Sequence, residues 1–160
     1  MEENKNMHKM HNMHNMQSMS YKKFTLMIVI FFIIMFSVMF LNVDEANHIY
    51  ISTTRIYMAL LMVSSMAIVM MLMMGKMYPS KKVNTGVILG AIVVFGLVLA
   101  GLRTQTPIGD VQYMKAMIPH NSSAIMVSKQ ANIKDPEVTK LSEGIIASQE
   151  KEIAERKAIL

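Results

Sequence analysis

The stretch "MHKMHNMHNMQSM", Met7 to Met19, places a thioether at every third position: Met7, Met10, Met13, Met16 and Met19. The first three are each followed by an imidazole, at His8, His11 and His14. Thioethers are soft donors that favour Cu(I), and imidazole serves copper in either oxidation state. The pairing therefore points to copper as the bound metal, Cu(I) first, with silver(I) as a chemical stand-in. Cysteine is absent, which removes thiolate sites and disulfides and leaves methionine as the only sulfur donor. In a helix Met7 and His11, or Met10 and His14, would stand four apart and chelate one ion. A strict three-residue period drifts around a helix, however, so the spacing predicts a disordered segment that wraps an ion and orders on doing so. The plain alternative is a low-complexity tail with no ligand.

Two further sets of donors follow. Met58, Met62, Met66, Met70 and Met74 are four apart and share one slowly turning helix face, as thioether rings lining a conduit would require. Methionine is also a flexible apolar filler, and packing explains the same row. Later, Met114, Met117 and His120 are three apart, and Gln149 or Glu152 from a following helix could complete a site with them. Against this, the histidine could be an ordinary bundle residue and the methionines core. Asp44, Glu45 and His48 are close enough for a weak site but read as a solvated loop. Nothing resembles catalysis. There is no nucleophile beside a histidine, no glycine-rich phosphate loop and no ferritin-type Glu-x-x-His arrangement on paired helices, the one such spacing, Glu45 to His48, falling in the first loop, so no enzyme is expected.

The elements that must position these groups are apolar. Of 160 residues, 52% are hydrophobic and 17% charged, a balance a soluble domain reaches only if long apolar runs carry it. Residues 24–43, 56–74 and 83–102 contain no Asp, Glu, Lys, Arg or His, and each comes close to the ~20 residues that cross a bilayer. Lys5, Lys9, Lys22 and Lys23 precede the first run, and Lys76, Lys81 and Lys82 lie between the second and third. The first loop offers Arg55 against Asp44 and Glu45, and Arg103 follows the third run. The excess of lysine puts the tail 1–23 and the second loop in the cytoplasm and 103–160 outside, in the periplasm if the membrane is a bacterial inner membrane. No ionisable residue sits at membrane depth, which weighs against an ion-coupled pump. The net charge of +5 is placed beside the apolar runs, where topology explains it better than nucleic acid.

After residue 103 the pattern turns amphipathic. Asp110 is expected to cap a helix reaching about Ala131, with Val111, Met114, Ile118 and Ile125 at helical spacing and a kink at Pro119. "NIKDPEV" reads as a turn and restart, with Asp135 as N-cap, Pro136 at the first helical position and Glu137 in the first turn. Val138, Leu141, Ile145 and Ile153 give the second helix an apolar side. Two helices alone bury too little to fold in water. Their stripes need the rest of the protein or another copy, and a homodimer of hairpins completing a four-helix bundle is the expectation. The fold class is all-α.

"DVQYMKAMIPHNSSAIMVSKQ" and "DPEVTKLSEGIIASQEKEI" together resemble the bacterial domain-of-unknown-function 305 family, a helical, ferritin-like group. The matching residues are Asp110, Met117, Ile118, Pro119, His120, Ala124, Ile125, Gln149, Glu152 and Ile153, over the last third of the chain. Some relatives are extracytoplasmic copper-binding proteins and membrane-anchored versions occur, so the resemblance implies an outside bundle linked to copper. Asn121 stands where the family usually has its second histidine, and Val127 and Arg156 where methionines are expected. A valine or guanidinium is no ligand for a soft metal, and an amide is a poor one. The leading expectation is a membrane-anchored protein that binds copper or silver in metal handling or tolerance. The alternative is an interaction module whose external bundle docks a partner, with methionines as packing.

Overall fold

The computed structural model describes residues 20–160. Five helices carry the chain: α1 Tyr21–Val38, α2 Thr53–Met74, α3 Lys81–Thr104, α4 Asp110–Gln130 and α5 Pro136–Ile159. Short 3-10 turns at Ala46–His48 and Gly75–Met77 interrupt the first two connections, and no strand occurs among the described residues. The architecture is all-helical, as expected.

The first three helices begin earlier than the apolar runs because a serine starts each one. The hydroxyls of Ser20, Ser52 and Ser80 accept from the backbone N–H groups of Lys22, Arg55 and Val83. Each satisfies an amide that the first helical turn would otherwise leave without a partner. At the outer end α1 is shorter than expected: it stops at Val38, and turns occupy 39–42. The α1, α2 and α3 segments are long and apolar enough to cross a membrane. None of the most apolar stretch of α3 is buried, nor is most of α1. Apolar side chains pointing outward in this way suit helices solvated by lipid.

The three helices share a core at one end. Phe24, Ala67, Met71 and Tyr78 are buried together there, with Met70, Met74 and Val87 packed around them. A polar lock sits beside it. The Tyr21 hydroxyl donates to Asn84 Oδ1 at 2.9 Å, and Asn84 Nδ2 donates to the Gly75 carbonyl at 2.8 Å. At the opposite end the Tyr57 ring lies over Gly101, where a Cβ would approach it to 3.3 Å, and its hydroxyl reaches the Thr106 carbonyl at 2.6 Å. Gln105 then ends α3 in the left-handed region, φ 55°.

The C-terminal hairpin follows the expected boundaries closely. Gly109 rather than Asp110 is the N-cap of α4, and Asp110 becomes the first helical residue, where its carboxylate favours the positive end of the helix dipole. Helix α4 runs through Pro119 unbroken. Asp135 caps α5 by accepting from Glu137 and Val138, with Pro136 at the first turn. Ile118, Ile125 and Ile153 form the hairpin core, joined by Ile146 and, from the first loop, Tyr50.

The first loop is not a solvated connection. Asn42 Nδ2 donates to Ser123 Oγ and the Asp44 amide to Ser122 Oγ, both at 2.8 Å. His48 is buried with Nδ1 2.9 Å from the same Ser122 hydroxyl. Lys129 pairs with Asp44 at 2.9 Å, Lys157 donates to Asn47, and Gln112 accepts from Thr53. The hairpin thus finds cover on its own chain. Of the expected apolar side of α5, Ile153 is buried, whereas Val138 and Leu141 stay exposed at 47% and 65% and Ser142 turns inward.

Candidate metal centre

Where the hairpin docks against the end of α1 and the start of α2 there is an open cavity of about 410 Å³. Met39 after α1, Met58 on α2, and Met117 and His120 on α4 all line it. Three methionines and a histidine, one pair from the first loop and α2 and the other from α4 more than fifty residues later, therefore line one space. Of these, Met117 and His120 were legible as a pair three apart. Met58 was legible as the first member of the four-residue row. Met39 carried no signal, because its place depends on where α1 ends. Two of the row pack elsewhere: Met70 and Met74 lie against the core at the far end of the bundle.

The remaining lining is informative. Arg55 is buried, with Nη1 donating to the Met39 carbonyl and its guanidinium 4.4 Å from the Phe40 ring centroid. Thr54 also lines the cavity, and its hydroxyl is buried without a hydrogen-bond partner among the described residues. Among the described residues no three His, Asp or Glu side chains converge as a metal site. A metal held here would depend on thioethers. That donor set is neutral and stands beside a fixed guanidinium, whose repulsion grows with the charge of the ion. The chemistry fits a soft monovalent cation and disfavours a hard divalent one.

Met114 and Glu152 do not line this cavity. Glu152 is held in another network: Arg156 Nη1 lies 2.8 Å from its Oε2 and Asn121 Nδ2 donates to the same oxygen at 3.0 Å. The Arg156 guanidinium, followed by the Asn121 amide, keeps the Glu152 carboxyl below its ordinary pKa. Asn121, buried at 3% exposure, is thereby turned to α5 and away from His120. Val127 is exposed. The ladder residues Met7, His8, Met10, His11, Met13, His14 and Met16 lie outside the described residues.

A second pocket, about 250 Å³, is lined by Asp44, Glu45, His48, Glu150 and Lys157. Its carboxylates are engaged: Lys129 bridges Asp44 and Glu150 at 2.9 and 3.4 Å. Hydrogen bonding to Asp44 raises the Lys129 pKa, and burial lowers that of His48. This pocket is a docking joint. The sequence hides it, since neither loop nor hairpin alone indicates that they meet.

Known proteins agree with the sequence pattern. The profile described as "Domain of unknown function (DUF305)" matches residues 97–160. An uncharacterized protein of Acanthamoeba polyphaga mimivirus, L153, is 34% identical over 126 residues, covering 78% of this chain and 81% of the viral one. That match is longer than the 97–160 segment, so it takes in residues of the apolar helices as well. No solved structure matches the chain. On the strength of the matched hairpin and of a relative alike over most of both lengths, the chain belongs to the DUF305 family.

Proposed function

We propose that this chain is a membrane-anchored binder of soft monovalent metal ions, Cu(I) or Ag(I), serving metal handling or tolerance without catalysis. The membrane is a bacterial plasma membrane, with the amino-terminal ladder in the cytoplasm and the hairpin outside. The observation that supports this is the convergence of Met39, Met58, Met117 and His120 on one cavity. The ladder of Met7, His8, Met10, His11, Met13, His14 and Met16 acts as a separate capture segment. Two copies pair through their hairpins, with a ferritin-like four-helix bundle as the product.

The test is metal content of the full chain purified in detergent after loading with Cu(I) under reducing conditions. Deleting residues 1–19 is expected to leave about one tightly held ion per chain, and adding Met117→Leu with His120→Gln to remove it. Wild-type protein without stoichiometric metal would end this reading. The exposed Val138 and Leu141 favour a second reading, a non-enzymatic module that docks a partner on α5. It expects the methionine and histidine replacements to leave metal tolerance unchanged, and disruption of Leu141 and Ile145 to abolish function.

A further inference from the structure

Helix α5 carries a shallow groove along the side that faces neither α4 nor the first loop, with Glu137, Leu141, Gly144, Ile145 and Ser148 along it. A Cβ at Gly144 would meet nothing within 4 Å, so the backbone there is open to close approach. Glu137, Leu141, Gly144, Ser148 and Lys151 alternate four and three apart, the seam spacing of two packed helices. That seam is nearly palindromic about Gly144. If two copies of α5 cross there antiparallel, Glu137 of each stands opposite Lys151 of the other, and Leu141 falls against the small Ser148. A parallel pair would set Glu137 on Glu137 and Lys151 on Lys151. Glu137 makes no ion pair among the described residues, and the side chain of Lys151, 79% exposed, has only a 3.9 Å contact with Glu155.

The way the hairpin docks imposes the same direction independently. From Gln112 to Lys129, about 25 Å of helix, α4 stays bonded first to Thr53 at the start of α2 and then to the loop that joins α1 and α2. It therefore runs across the outer ends of the apolar helices instead of away from them, and α5 lies packed along it. Copies anchored in one bilayer are related by a two-fold axis along its normal. Helices lying across that normal are antiparallel by symmetry. The charges and the membrane select the same arrangement.

We infer that the α5 groove is the seat of a second copy of this chain, in an antiparallel α5–α5 contact centred on Gly144 with reciprocal Glu137–Lys151 pairs. This rests on the pairing of hairpins proposed above and is independent of any metal. Since the chain has no cysteine, Gly144→Cys provides a single reporter. In detergent, G144C is expected to form a disulfide-linked dimer on mild oxidation, whereas a cysteine at Val127 does not. Glu137→Lys or Lys151→Glu alone is expected to weaken association about tenfold, and the two together to restore it. A chain that sediments as a monomer overturns both this contact and the pairing of hairpins. A dimer indifferent to both reversals, or without the G144C link, overturns this contact while leaving pairing by another face. Metal content, measured on the same samples, reports the metal reading separately.

Discussion

His48 is a residue changed by its surroundings. Its ring is buried against the Ser122 hydroxyl, and burial, followed by the nearby Lys157 charge, lowers its pKa despite Glu45 and Asp44. Lys129, the other charge facing it, acts in the same direction as Lys157. The folded chain therefore resists a proton that the undocked loop accepts near the ordinary value of 6.5. Docking is at full strength above that pH and weakens as pH falls below it. Protection of the α4 amides relative to intrinsic exchange is expected to fall between about pH 7.5 and about pH 5.5, and His48→Gln to flatten that dependence. An unchanged pH profile in the variant would remove His48 from the joint. In sequence this histidine stands with Asp44 and Glu45 in a short loop. Its burial depends on a contact with Ser122, 74 positions away, and local spacing carries no trace of such a contact. Met117 and His120 were legible because both belong to one helix; Met39 was not, because its neighbours come from elsewhere.

Helix boundaries obey local rules, and most were legible. Asp135, Pro136 and Glu137 start α5 as their types require. The apolar helices were misjudged by a few residues, because charge was taken to end them when a serine cap begins them. Lys22, Lys23, Lys81 and Lys82 consequently sit in first turns, the unfavourable end of the helix dipole for a cation. Membrane topology outweighs that small cost. The other end of α3 offers a sharper check. Gln105 occupies the left-handed region that glycine adopts without a Cβ penalty. Gln105→Gly is expected to stabilise the fold by about 0.5–1 kcal/mol, seen as a higher midpoint of thermal unfolding in detergent. A lower midpoint would mean that the Gln105 amide, which donates to the Leu102 carbonyl, contributes more than the backbone conformation costs.

For the whole molecule, the distribution of lysines makes a claim about sidedness. Lys134, in the turn between α4 and α5, is expected to face the outside, and Lys82, at the start of α3, the cytoplasm. In a chain without native cysteines, Lys134→Cys should react with a membrane-impermeant maleimide on intact cells, and Lys82→Cys only after lysis. The opposite pattern would invert the orientation and place the cavity beside His120 inside. How the two halves meet was beyond the sequence, because each half is locally self-consistent and the joint is made of single hydrogen bonds between distant positions. The same joint governs α1. This helix is fastened at its lower tip by Phe24 and the Tyr21–Asn84 bond, and at its upper tip through Asn42 and Asp44 to the hairpin. Between those tips Val29, Ile30, Ile33 and Ile34 touch little protein. Helix α1 is thus tied at both tips, and its upper tie ends beside the turn that carries Met39, so a change that loosens Asn42 or Asp44 from the hairpin also frees one wall of the cavity.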